Sequence, residues 1–282
     1  MFILIFLVLI QSAFSNQITE TSTLIHLIDE KPTKEVFLYL TNGQIAKISK
    51  TKHSLINKIR GLKNTKERVL LKLDHHNNVL SFKKENNLEI IRNENTFNKI
   101  ISPYHPSIIE SNELATTYFL EARKNHKESQ CYNRAHIWTY EWRVKNGIFS
   151  SKIWLFFSPK FIRKFKFNWW FHVAPLFHVK ENNQTHRTVA DVKYGKTLLN
   201  IKAWTDIFMH NNARCPLIND YNEYADNPES TWCYTMISPM YYYQPIDLEM
   251  RDLEGKELTV WNPSDLRNAY LEAFDINLEE KQ

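Results

Sequence analysis

The hydrophobic pattern opens with an unbroken apolar run at residues 2–10 (FILIFLVLI), then Gln11-Ser12 and the small residues Ala13 and Ser15. An apolar stretch followed by small residues at −3 and −1 predicts a secretory leader cut after Ser15, although it carries no Lys or Arg before the apolar run. It is too short to span a bilayer. Beyond it, Glu35–Leu40 (EVFLYL) reads as a strand, Thr41-Asn42-Gly43 as a hairpin turn, and residues 44–49 as the returning strand. Residues 53–60 put Leu55, Ile56 and Ile59 on one side of a short helix. Strand-like residues 67–73 and 79–82 flank the polar turn 74–78, where His75-His76 reads as solvated surface. Residues 84–110 have no clear period, are charged and Asn-rich, and contain Pro103 and Pro106, which predicts a linker.

From residue 111 the texture changes. Leu114, Tyr118 and Ala122 recur at four-residue spacing and predict a helix with that face inward. A second helix is predicted from Cys131 to the Asn146-Gly147 stop, with Ala135, Trp138 and Trp142 facing the core. Residues 148–157 read as a strand. Residues 168–179 (NWWFHVAPLFHV) form a second, where Pro175 predicts an edge or a bulge, and residues 186–192 a third after a polar turn. The domains read as a leader at 1–15, a small αβ unit at 16–83, the linker at 84–110 and a larger unit at 111–282.

Composition narrows the chemistry. The chain has 282 residues, and hydrophobic positions are 43% against 24% charged, as in folded proteins rather than disordered ones. Five glycines, all far apart, exclude the glycine-rich phosphate loops of the standard nucleotide-binding types. A net charge of +5 suits acidic partners but is too small to argue for nucleic acid. The eight tryptophans and three cysteines all fall between Cys131 and Trp261. Cys215 and Cys233 lie 18 apart in a polar stretch, a plausible span for a local disulfide, leaving Cys131 unpaired. No Cys-x-x-Cys spacing supports structural zinc.

Cys131 falls in the first turn of its helix, where unsatisfied N–H groups and the positive end of the dipole favour a negatively charged sulfur. Alternation puts His172, Ala174, Leu176 and His178 on one strand face. A turn near Asn183 would bring Asp191 back within diagonal reach, or one bulge, of His172. Helix-borne Cys, strand-borne His and a carboxylate on the next strand are the parts of a thiol hydrolase. On spacing alone, satisfied core residues are the better reading, with eleven histidines in the chain. A His136–His172–His178 metal site lacks the supporting His-x-x-x-His or Cys pair. Arg134 reads as a brace of the helix start or of a carboxylate. Of Trp169 and Trp170, one belongs to the core and the other could wall a substrate slot.

The local sequence goes further. Gln130-Cys131-Tyr132-Asn133-Arg134-Ala135-His136 resembles the Cys-Tyr-x-Arg-Ala-His segment of the bacterial protein-glutaminases (protein-glutamine deamidases). Trp170-Phe171-His172-Val173-Ala174 resembles their aromatic-x-His-Val-Ala strand, and Val189-Ala190-Asp191 with the later Trp204 their Asp segment. The likeness spans roughly residues 129–206. It implies Cys131 as nucleophile, His172 as general base and acid, and Asp191 as the orienting carboxylate, with residues 16 to about 110 as a pro-region over the site; without the likeness they read equally as a second domain that presents substrates. The sequence departs at Val192, where the family usually has proline, at a single possible disulfide, and at the basic aromatic insert 160–167 (KFIRKFKF).

The expectation is an α+β fold, an antiparallel sheet packed on helices with the nucleophile at a helix N-terminus in a transglutaminase- or papain-like core, plus a small N-terminal αβ domain. The expected activity is an exported, secreted or periplasmic, monomeric thiol amidohydrolase. It would deamidate protein-bound glutamine through a Cys131 thioester, with Trp169 and Trp170 as substrate-binding residues. No cofactor, metal, nucleic acid or stable membrane span is expected. A cysteine peptidase or transglutaminase would use the same three residues. A non-catalytic binding module would instead present aromatic residues such as Tyr241-Tyr242-Tyr243.

Overall fold

The computed structural model describes residues 18–62, 67–85, 97–99, 104–122, 129–210 and 213–278. The leader predicted at residues 1–15 lies outside them. The chain divides into two compact units, Met1–Ile90 and Ile91–Gln282.

The first unit has two antiparallel three-stranded sheets. One pairs β1 (Thr19–Thr23), β5 (Val69–Leu73) and β6 (Val79–Lys84); the other pairs β2 (Ile25–Asp29), β3 (Glu35–Leu40) and β4 (Ile45–Ser49). Helix α1 (His53–Arg60) turns Ile56 and Ile59 inward, as its period predicts, onto a core that includes Leu38, Ile48, Leu71 and Val79.

The second unit is built on a mostly antiparallel sheet ordered β12 (Leu199–Asn200), β11 (Gln184–Val189), β10 (Phe171–Glu181), β9 (Ser151–Phe157), β14 (Cys233–Pro239) and β13 (Leu217–Ile218), with β8 (Ile108–Ile109) alongside the far half of β10. A further pair joins β7 (Phe97–Lys99) to β15 (Lys256–Leu258). Strands β7 and β8 fall inside the stretch read as a linker, which therefore contributes to the second unit's sheets; their partners lie 70 or more residues away and leave no local signature. The helices are α2 (Asn112–Glu121), α3 (Cys131–Asn146), α4 (Pro159–Phe165), α5 (Ile201–Met209), α6 (Tyr221–Asp226), α7 (Pro245–Glu254) and α8 (Pro263–Phe274). The α+β class expected from the sequence is the one observed.

Strand β9 is buried at every position, as a central strand covered on both faces must be. Helix α3 packs on β10 and α8. Its Trp138 and Trp142 meet Phe177 and Val179 of β10 and Phe119 of α2 in one cluster. It ends where Gly147 takes a left-handed conformation, φ 73°, with the Gly147 and Ile148 N–H groups closing on Arg143 and Trp142 carbonyls.

Three local expectations need correction. Helix α2 turns Ala115 and Phe119 inward and leaves Leu114 exposed, because the sheet meets a face rotated by one residue from the Leu114–Tyr118 stripe. Pro175 lies in the interior of the sheet, not on an edge strand. Its carbonyl accepts from Ala190 N–H (2.9 Å) just past the end of β11, so the donor it lacks falls where that ladder stops. Tyr242 and Tyr243 are core residues and present no surface for a binding face.

Candidate active site

Cys131 is the first residue of α3 and the free cysteine of the three; Cys215 and Cys233 are disulfide-bonded. Gln130, at the helix N-cap, makes no side-chain cap, so first-turn N–H groups beside the sulfur are not claimed by a capping side chain. Arg134, buried one turn on, donates to the Ser129 carbonyl and braces the entry of the chain into the helix.

His172 projects from the first half of β10. On that half β9 pairs on one side, with His172 opposite Leu155, while β11 pairs only with Leu176–Glu181. The sheet is therefore open beside His172, and the chain leaving β11 at Val189 fills the opening with Asp191. The carboxylate Oδ2 lies 2.7 Å from His172 Nε2. The same oxygen accepts from Trp204 Nε1 at 2.9 Å, while Oδ1 accepts from the Lys193 and Tyr194 N–H groups. Gly195 closes this turn, its N–H donating to the Asp191 carbonyl at 2.7 Å. Val192, where the resemblance leads one to expect proline, is compatible with this turn.

Cys131 stands near enough to the His172 imidazole to help raise its pKa. With Nε2 engaged by Asp191, Nδ1 is the ring nitrogen left for the sulfur. Burial pushes the His172 ring down, but the Asp191 charge and hydrogen bond, with those of Cys131, outweigh it and raise the imidazole to about 9. Burial likewise works against Asp191 as an anion, and the His172 charge and hydrogen bond together with the Trp204 N–H reverse it, holding the carboxyl below its ordinary value. The arrangement brings a sulfur, an imidazole and a carboxylate together, suited to passing a proton between sulfur and ring.

Aromatic rings enclose the imidazole. Phe208 lies 4.7 Å from it centre to centre, Trp204 5.6 Å, and Tyr194 meets it edge-on at 5.1 Å. Tyr194 and Trp169 are exposed and available to a substrate. Trp170 is not. It is fully buried, stacked with Phe156 and Tyr224, so its assignment to substrate binding is corrected to the core. Tyr194 and Phe208 carry no sequence signal that marks them, and Trp204 is marked only by the family likeness.

The other histidines go elsewhere. His136 faces Lys152 Nζ at 2.8 Å in the interior, and burial together with that lysine hold its ring far below the ordinary value. Burial brings Lys152 down to about 7 against the pull of Asp247 and Asp265, and its Nζ donates to the Tyr242 carbonyl. His178 contacts Ser151. Among the described residues no three His, Cys, Asp or Glu side chains group as metal ligands. Nor, among the described residues, is any helix long and apolar enough to cross a membrane.

Residues 111–208, which contain this site, match a protein family described as glutaminase. No curated protein matches the chain. Among solved structures it is similar to pro- protein-glutaminase, with a TM-score of 0.58 at 13% identity over 89% of this chain and 92% of that one. A mutant of pro- protein-glutaminase gives 0.57 at 15% identity over 81% and 85%. At such identities the structural likeness is one of fold. Over residues 111–208 the chain matches the glutaminase family, and its fold is similar to that of pro- protein-glutaminase.

Proposed function

We propose that this protein is an exported thiol amidohydrolase that converts the side-chain carboxamide of protein-bound glutamine to glutamate. The observation that carries the reading is the line from the free Cys131 thiol through His172 to Asp191, lying inside the glutaminase-matching segment. The sulfur, its proton held on His172, attacks the amide carbon. The carbon–nitrogen bond breaks and ammonia leaves with the proton from the imidazolium, giving a thioester on Cys131. His172, now neutral, takes a proton from water as that water attacks the thioester; the acid is released and the thiol restored. The negative oxygen of each tetrahedral intermediate faces the start of α3, where the Cys131 N–H is the first donor. Asp191, fixed by Trp204 and two backbone N–H groups, keeps the imidazole oriented. The core plays the part that transglutaminase- and papain-like enzymes give to their helix-borne cysteine.

The first unit is read as a pro-region. The match to pro- protein-glutaminase covers 89% of the chain, more than the second unit alone supplies, so it extends into the first. Limited proteolysis between the units should then raise activity, and unchanged activity after a clean cut would remove this part of the reading.

The test of function is incubation of the purified protein with a glutamine-containing protein, measuring ammonia, mass and crosslinks. Ammonia with a gain of about one dalton per site, from amide to acid, is the expected product. Shortened chains would mean a peptidase, crosslinked chains a transglutaminase, and no change a binding module.

A further inference from the structure

The connection from β9 to β10, residues 158–170, caps the end of the sheet from which His172 projects: Phe156 pairs with Phe171 and Leu155 with His172. It carries Lys160, Arg163, Lys164 and Lys166 and no acidic residue. Arg163 is taken by Glu229. The ammonium groups of Lys160 and Lys164 lie 5.1 and 5.0 Å from the ring centre of Trp232, and none of the three lysines has a carboxylate partner among the described residues. Two like charges held over one indole without a counterion leave an unfilled demand for negative charge.

The support beneath them is rigid. Ser158 caps α4 through Phe161 N–H, its own N–H donates to the Trp232 carbonyl, and Cys233, the next residue, is tied to Cys215. Ring contacts run without a break from the site to this surface. Phe208 touches both His172 and Phe157, and Phe157 touches Phe161 and Phe167. Apolar area is also offered: Phe165 and Trp169 are each 39% exposed, and Trp169 lies three residues before His172. The segment 192–202 that follows Asp191 carries Lys193 and Lys196 and no acid, its third lysine, Lys202, being taken by Asp206.

We propose that residues 158–170 form a docking ledge for an acidic polypeptide segment of the substrate, which presents a nearby glutamine to Cys131. The partner's carboxylates would meet Lys160, Lys164 and Lys166, and its apolar side chains Phe165 and Trp169. This rests on the glutamine-directed reading above and adds the kind of substrate surface that is preferred.

The experiment compares two glutamine peptides identical except for flanks of glutamate or of serine, with wild type and with Lys160→Glu/Lys164→Glu. At low salt, wild type should release ammonia from the acidic peptide with a kcat/KM roughly tenfold above that for the neutral one, through KM, and the preference should vanish at high salt. The variant should lose the preference while retaining wild-type turnover of the neutral peptide, which also shows that it is folded. Equal use of both peptides by wild type would overturn the ledge, as would a variant that keeps the preference. So would binding of anionic phosphatidylglycerol vesicles through these lysines with no change in peptide KM. Should neither peptide release ammonia, the glutamine-directed reading falls by itself. The ledge is then judged by fluorescence anisotropy of the labelled acidic peptide, which must bind wild type at least tenfold more tightly than the variant or the proposal fails with it.

Discussion

Trp204 Nε1 and His172 Nε2 converge on one oxygen of Asp191, at 2.9 and 2.7 Å. Two donors on a single buried oxygen pin the carboxylate, and a pinned carboxylate fixes which way the imidazole faces the thiol. Trp204→Phe keeps the ring and removes one hydrogen bond to a charged acceptor, worth about 1.5–3 kcal/mol. A roughly tenfold to hundredfold fall in kcat for ammonia release is expected, with KM little changed. Unaltered kcat would mean that Asp191 needs no second anchor.

Asp191→Asn preserves shape and removes charge. Without the anion, the influences that raise His172 to about 9 weaken and burial prevails. Turnover should fall by about 10³ or more. The His172 ring followed by NMR should titrate well below its wild-type position, and a ring still titrating near 9 would contradict the electrostatic assignment.

The same pair sets a pH window. For His172 the folded value lies above the unfolded one, so its stabilising contribution is full below about 6.5 and is lost as pH rises through about 9. For Asp191 the folded value is the lower one, so its contribution is present above the ordinary carboxyl value and is lost in acid. Wild-type Tm should therefore decline between about pH 6.5 and 9 relative to Asp191→Asn, and ammonia release should fall above about 9 as the acid that protonates the leaving group disappears. Parallel Tm profiles for the two proteins would exclude the linkage.

Lys152 gives the opposite slope. Its folded value of about 7 is depressed below the unfolded one, so a burial penalty is full below about 7 and disappears as pH rises toward about 10.4. Lys152→Met, of similar length, should gain most relative to wild type near pH 6 and progressively lose that advantage up to pH 10, by thermal unfolding. An advantage independent of pH would show that Lys152 is not charged by protonation over this range.

The turn that delivers Asp191 depends on Gly195. A β-carbon there would stand 2.9 Å from the Thr197 carbonyl oxygen and 3.1 Å from that of Asp191, both backbone atoms. Gly195→Ala should lower kcat at least about tenfold by shifting Asp191, and cost on the order of 1–3 kcal/mol in stability, read by denaturant unfolding. A fully active Gly195→Ala would show that the turn tolerates the shift.

What local pattern can encode, the chain announces plainly. The α1 face, the Gly147 stop and the span of α3 follow from helical period and capping, whereas spacing alone favours core roles for Cys131, His172 and Asp191, and only the likeness of their flanking segments to protein-glutaminases joins them. What escaped depends on partners distant in sequence. Strands β7 and β8 acquire their identity from Lys256–Leu258 and from His178–Val179. Leu114 faces out and Trp170 in because of where the sheet lies, which four-residue spacing and a pair of adjacent tryptophans do not disclose. The enclosure of His172 by Tyr194 and Phe208, and the burial of Lys152 against His136, likewise arise only when α3, β9, β10 and α5 are assembled.

The most direct test uses the single free thiol. With Cys215 and Cys233 bonded, iodoacetamide should modify the native protein at Cys131 alone. The fraction of Cys131 alkylated, located by peptide mass, is plotted against the remaining rate of ammonia release from a glutamine-containing protein. A one-to-one loss reaching zero at full alkylation is the expected result. Ammonia release that persists when Cys131 is completely alkylated would contradict a thiol nucleophile at this site.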